Sequence, residues 1–227
     1  MTSPARRHFE RVSAAQAARD AGDAPMHGDE YHFMQAKLFE DYRRLKSVQS
    51  IERKVAIKRE ILPDYADYVE GVLEGGQGAQ DEVLMRVLLW RIDVGDIDGA
   101  LSIGRYALRY GLEPGDQFQR STAAILVEEA ADQALALEAD DASLLAALQE
   151  IERLTEGADM HDQIRAKLHK TLGNAHRAAG EPQEALTHFR RALELNERAG
   201  VKKDIEKLER ELKQQNAGDQ ASGDHQA

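Results

Sequence analysis

The stretch from Ala79 to Leu112, AQDEVLMRVLLWRIDVGDIDGALSIGRYALRYGL, leaves the chain little freedom in what it can become. Its first half is apolar nearly all round: Val83, Leu84, Val87, Leu88, Leu89, Trp90, Ile92 and Val94. A helix without a polar face has to be covered by other elements. Gly95-Asp96 then reads as a stop followed by a start. Glycine suits the position past a helix end, and aspartate caps the next helix. Ile97, Ala100, Leu101, Ile103, Ala107 and Leu108 continue as an apolar stripe at helical spacing. The sequence therefore predicts a buried helical hairpin around the single tryptophan, Trp90.

The pattern returns 85 residues later. Residues 95–111, GDIDGALSIGRYALRYG, align without gaps on residues 180–196, GEPQEALTHFRRALELN. Gly95/Gly180, Ala100/Ala185, Leu101/Leu186, Arg105/Arg190, Ala107/Ala192 and Leu108/Leu193 are identical. The second copy resembles a tetratricopeptide repeat, with Leu172-Gly173, Ala185, Phe189 and Ala192 at that repeat's spacing. Small residues let helices approach, and Phe189 fills the groove between them. The first copy is a weaker match because Gly104 stands where the second has Phe189.

Composition agrees with an all-α chain. Hydrophobic residues make up 42%, enough for a core, but aromatics only 5%, so the core must be built from Leu, Ile, Val and Ala. Five prolines interrupt 227 residues, and strand-like alternation is hard to find. The chain has no cysteine, which excludes disulfides and thiolate metal sites. It has neither a run of 18 apolar residues nor an apolar leader, and the expectation is a soluble protein of a reducing cytoplasm, with no membrane contact.

The net charge of −11 is unevenly spread. Residues 1–61 carry +3, residues 62–160 carry −15 and residues 161–227 carry +1. The acidic middle repels phosphate, so nucleic-acid contact is expected from an end, above all the N-terminal one. Ser3-Pro4 starts a helix that runs to Ala21, with Arg6, Arg7, Arg11 and Arg19 along it. It reads either as a frayed, solvated terminus or as a basic arm on DNA. A second helix is expected from Asp29 to about Ile61. Tyr31, Met34, Leu38, Leu45, Val48 and Val55 approximate a seven-residue repeat. Its other faces carry Lys37, Arg43, Arg44, Lys46, Arg53, Lys54, Lys58 and Arg59. A coiled-coil arm that pairs subunits and an amphipathic helix packed on its own domain both fit. A helix-turn-helix unit lacks a diagnostic turn.

These readings divide the chain into a basic helical arm (1–61), a TPR-like helical body (62–215) and a disordered tail (216–227). Within the body, short helices are expected at Asp64–Glu74, Ser121–Glu138, Ala142–Thr155 behind an Asp141 cap, and Asp159–Ala179. Gly75-Gly76-Gln77-Gly78 is glycine-rich, but no Lys-Ser or Lys-Thr follows, so a phosphate loop is rejected.

Catalytic chemistry is hard to locate. Glu52-Arg53-Lys54 and Glu211-Leu212-Lys213 each match half of a nuclease signature, and Pro63-Asp64 the other half. Order and helical context are wrong for it, so Mg²⁺ enters only if a nuclease centre forms. His169 and His176 are seven apart, with His161 eight before the first. Zinc ligands on one helix favour a spacing of three to four, so these read as packing or solvated histidines and no metal site is assigned.

The wording of the chain goes further. MTSPARRHFERVSA, LP…YVEGVLEGGQGAQDEVLMRVLLWRIDVGDIDGAL, GRYALRYGL, ADMHDQIRAKLHK and GVKKDIEKLERELK resemble the GpM-type small terminase subunits of cohesive-end temperate tailed phages. The likeness covers residues 1 to about 213. It implies a role in viral genome packaging in the cytoplasm of the bacterial host. Such a subunit recognises the cohesive-end site of phage DNA and hands it to the large ATPase terminase subunit. The family is commonly labelled the endonuclease subunit. Some members extend into a Lys/Arg-rich tail, whereas this tail is neutral to acidic, which shifts the weight of DNA binding to the N-terminal arm. The leading expectation is a homo-oligomeric DNA-recognition and assembly subunit. A metal-dependent endonuclease in its own right and a protein-only repeat adaptor are the alternatives.

Overall fold

The computed structural model describes residues 3–115, 120–137 and 142–223. They are helical, with no strand among them. Two compact units divide the chain, Met1–Glu129 and Ala130–Ala227.

The first unit begins with α1, Pro4–Ala21, capped by the Ser3 hydroxyl accepting from the Arg6 N–H. The sequence set this helix in an arm ending at Ile61. In the structure it packs along α4, Ala66–Gly75. Ala14, Ala15, Ala18 and Ala21 are buried on its inner side. The opposing surface is Gly71 and Gly75. A Cβ on Gly71 would lie 2.2 Å from the Arg11 carbonyl oxygen, and one on Gly75 would lie 2.4 Å from that of Ala15. The two backbones are close enough that no side chain fits between them.

Helix α2, Asp29–Lys46, and helix α3, Ile51–Ile61, replace the single long helix expected from the heptad-like spacing. The break at Ser47–Ser50 has a local cause. The Ser47 hydroxyl donates to the Arg44 carbonyl, and the Ser50 hydroxyl accepts from the Arg53 N–H as an N-cap. Serine side chains that bond nearby backbone compete with the helical ladder. A continuous coiled-coil arm is thereby excluded. Tyr31, Met34 and Leu45 of the repeat are buried against the unit's own core.

A 3₁₀ turn, Leu62–Tyr65, leads into α4. Tyr65 lies edge-on to Trp90, centroids 5.8 Å apart, and donates its hydroxyl hydrogen bond to the buried Asp41 of α2. After α4 the Gly75–Gly78 turn is closed by the Tyr106 hydroxyl, which accepts from the Gly78 N–H at 2.9 Å. The glycines there serve close packing.

The hairpin that dominates the sequence forms α5, Glu82–Asp93, and α6, Ile97–Tyr110. Gly95 sits at φ 84°, and Asp96 caps α6 by accepting from the Gly99 N–H. Asp81 caps α5, accepting from the Leu84 N–H at 2.9 Å and from the Tyr68 hydroxyl at 2.7 Å. Helix α7, Thr122–Leu137, follows, and Leu126 fills the space beside Gly104.

The second unit holds α8, Ala142–Thr155, α9, Asp162–Ala178, α10, Pro182–Leu195, and α11, Lys202–Gly223. Asp141, the expected cap of α8, lies outside the described residues. Helix α11 continues to Gly223, into the stretch from Asn216 where composition predicted disorder. Helices α9 and α10 form the second hairpin. Gly180 at φ 77° repeats the role of Gly95, and Glu181 donates its backbone N–H to His176 as Asp96 does to Arg91. Phe189 lies against Gly173, and with Ala185, Leu186 and Ala192 it meets Val201 and Leu208 in one apolar cluster.

Gly71→Ala is expected to destabilise the protein by roughly 1–3 kcal/mol through overpacking, although alanine is the better helix former. Denaturant unfolding reads the loss, and amide exchange should show it first in α1. The buried Asp81 carboxyl is pushed up to about 6, mainly by desolvation. Its protonated form is therefore favoured on folding. That contribution is full below the unfolded value near 4 and is lost as pH rises through 6. Asp81→Asn keeps one acceptor oxygen for the Leu84 N–H and cannot ionise, so its stability relative to the parent should rise between pH 4 and 7, on the order of 2 kcal/mol. Paired urea titrations at the two pH values measure the difference.

Candidate nucleic-acid interface

All eleven cations singled out in the sequence lie on α1, α2 and α3, and the structure sorts them by partner. Five are engaged by carboxylates of their own unit. Arg6 pairs with Glu10 at 2.7 Å. Arg11 reaches Glu70 at 3.1 Å and Glu74 at 4.0 Å, a direct consequence of the α1–α4 packing. Lys37 bridges Asp41 at 2.8 Å and Asp64 at 3.1 Å and lies over the Tyr65 ring. Arg44 makes a two-point contact with Glu60 at 3.1 and 2.8 Å, which holds α3 back against the end of α2. Lys58 pairs with Asp93 at 2.5 Å.

The other six, Arg7, Arg43, Lys46, Arg53, Lys54 and Arg59, have no carboxylate partner among the described residues. Arg43 lies over Phe39 and Lys46 over Tyr42, with cation-to-centroid distances of 5.9 and 4.6 Å. Arg59 donates to the Val94 carbonyl. Arg43, Lys46, Arg53 and Lys54 flank the four-residue turn between α2 and α3, while Arg59 stands in the last turn of α3. A cavity of about 430 Å³ beside the turn is lined by Lys46, Lys54, Lys58, Arg86 and the edge of Trp90. Burial pulls the Arg86 guanidinium below its ordinary value, so it too shares the electrostatic load of this corner. Exposed cations beside a short turn between helices suit contact with a phosphate backbone.

The sequence signal for this sorting was weak, because the partners of Arg11, Arg44 and Lys58 are 59, 16 and 35 residues away. Arg86 was passed over since it sits inside an otherwise apolar helix. The nuclease-signature fragments are occupied structurally: Asp64 holds Lys37, and Arg53 and Lys54 belong to the cationic corner.

An all-helical chain with a basic inter-helix turn and a tetratricopeptide-like hairpin is the class of protein this defines. Residues 35–163 match the phage small terminase subunit family, and residues 166–198 match the tetratricopeptide repeat. The chain is 49% identical over 214 residues to the "Terminase, endonuclease subunit" of Escherichia phage P2, covering 94% of this chain and 87% of that protein. The chain belongs to the phage small terminase subunit family, whose role is in genome packaging. No solved structure matches it. No helix among the described residues is long and apolar enough to cross a membrane.

Lys37→Met removes a half-buried cation and leaves Asp41 and Tyr65 to satisfy each other alone. It is expected to cost roughly 1–3 kcal/mol in urea unfolding. Arg44→Ala breaks an exposed pair, screened by water, and should change stability little in the same assay.

Proposed function

We propose that this subunit binds the cohesive-end site of phage DNA through the α2–α3 corner and delivers it to the large ATPase terminase subunit for cleavage and packaging. The observation that carries the reading is the set Arg43, Lys46 and Arg53, exposed, and Lys54, half-buried, left without carboxylate partners around one turn, with exposed Arg59 further along α3. The span matched to the family begins at residue 35, so it includes this corner and not α1. The name of the phage P2 relative supports participation in DNA cleavage. Arg7 adds a further cation on α1, while Arg6, Arg11, Lys37, Arg44 and Lys58 are already paired with carboxylates of their own unit.

The mechanism is electrostatic first. Lysine and arginine neutralise phosphates and release counterions, so affinity falls steeply with salt. Arginines at the turn then read base edges. A homo-oligomer repeats the corner and raises affinity through effective concentration. Phe33, Phe39 and Ile51, more than half exposed on α2 and α3, are the apolar residues by which copies would meet. The acidic middle of the chain, −15 over residues 62–160, keeps DNA off the rest of the surface. The helical hairpin of the second unit offers a surface to the large subunit.

Fluorescence anisotropy with a cohesive-end duplex across a salt series tests this. Reversing Arg43, Lys46, Arg53 and Lys54 to Glu should weaken binding at least tenfold and flatten the salt slope by about 3. Reversing Arg6 and Arg11, already paired within the fold, should do much less. Unchanged binding by the fourfold variant, or no DNA affinity of the parent at low salt, would refute the proposal.

A further inference from the structure

Three helices of the second unit bring one donor atom each to a single point. Glu152 Oε1 of α8, His169 Nδ1 of α9 and His188 Nδ1 of α10 lie within 4.8 Å of one another. The separations are 3.0 Å between the two imidazole nitrogens, 3.4 Å from His169 to Glu152 and 3.9 Å from His188 to Glu152. A tetrahedral zinc ion with bonds of 2.0–2.1 Å has donor–donor edges of about 3.3 Å. The observed triangle brackets that edge.

Packing alone does not call for imidazole here. At the same 85-residue offset that aligns the two hairpins, His169 and His188 fall on Leu84 and Ile103. Both of those are fully buried core residues of the first unit. The neighbours at the equivalent positions stay apolar: Val83 and Leu168, Val87 and Leu172, all 0% exposed. One copy of the hairpin thus puts aliphatic side chains at the two positions where the other puts nitrogen donors.

We propose that Glu152, His169 and His188 form a site for a divalent transition-metal ion of the zinc type, with a fourth position open to solvent. Two neutral nitrogens and one carboxylate are a donor set that zinc accepts, and three protein ligands leave a place for water or a small anion. A cavity of about 520 Å³ borders Glu152 and His169 and leaves room for water at the fourth position. Burial, followed by the neighbouring His188, holds His169 down to about 4, so at neutral pH its ring is uncharged and a lone pair is available. Burial likewise pulls His188 down.

The site is also braced from behind. His176 stacks on His188 with centroids 5.0 Å apart and rings 12° from parallel. Its own Nδ1 is held by Glu181 at 2.6 Å. Phe189, next to His188, is locked against Gly173 of α9. Such outer contacts fix ligand orientation before an ion arrives. In the metal-free protein one Nδ1–H donates to the other Nδ1. On binding, that ring carries its proton on Nε2 instead, and both Nδ1 lone pairs face the ion.

The test uses the full chain, stripped with chelator and then titrated with Zn²⁺ against a chromophoric competitor. Co²⁺ substitution reports coordination number by its visible absorption. One equivalent bound at micromolar or tighter affinity, with the strong absorption of four-coordinate cobalt, is expected. Glu152→Gln should weaken binding roughly tenfold or more, and His188→Gln should abolish it, with unchanged far-ultraviolet circular dichroism. His161→Ala serves as the control and should bind as the parent does. Should His188→Gln fail to fold, the half-exposed Glu152→Gln decides alone. Substoichiometric binding, or equal affinity of parent and Glu152→Gln, would overturn the site.

Discussion

The approach of α1 to α4 is the contact on which the arrangement of the first unit depends. It is a backbone-to-backbone fit, made possible by Gly71 and Gly75 opposite Ala14, Ala15 and Ala18. At this separation the gain is dispersion between well-matched surfaces, which falls away quickly if they part. It also decides the electrostatics. Once α1 lies on α4, Arg11 is within reach of Glu70 and Glu74, and its charge is answered inside the fold. A helix that reads as a DNA arm by composition is, by packing, part of the core.

The same reasoning moves the cationic surface towards α2 and α3. The Ser47–Ser50 break lets α3 fold back, and the Arg44–Glu60 and Lys58–Asp93 pairs fasten its last turn. Each pair spends one cation on structure. What remains exposed is a compact group around the turn. Exposed pairs contribute little to stability, so their main consequence is geometric. They fix where the uncommitted charges stand.

The hairpins were legible because their signals are local. Gly95-Asp96 carries both stop and cap within two residues, and the apolar spacing on either side is regular. The all-α class and the tetratricopeptide likeness followed from the same local rules. The break in the expected long helix was written only in Ser47 and Ser50, whose effect depends on side-chain bonds that spacing does not reveal. The docking of α1 had a faint signature, two glycines one turn apart in an amphipathic helix, facing an alanine-rich partner far away in sequence. Charge pairing between residues 16 to 59 apart had none.

The histidine cluster draws on three helices, so spacing along one helix does not reveal it. His169 and His176 share α9, yet the donor that joins His169 comes from α10 and the carboxylate from α8. The relation becomes visible when the two hairpins are laid on each other. Arg91–Asp96 in the first copy corresponds to His176–Glu181 in the second, each a side-chain pair closing the same corner at 2.5 and 2.6 Å. The corner is therefore structural in both copies. The difference lies two turns inside it, where Leu84 and Ile103 give way to His169 and His188. The second hairpin keeps the large aromatic Phe189 against Gly173, while the first has Gly104 and borrows Leu126 from α7 to fill the gap. Because Phe189 already supplies apolar volume between α9 and α10, two adjacent core positions there can carry polar atoms without emptying the core.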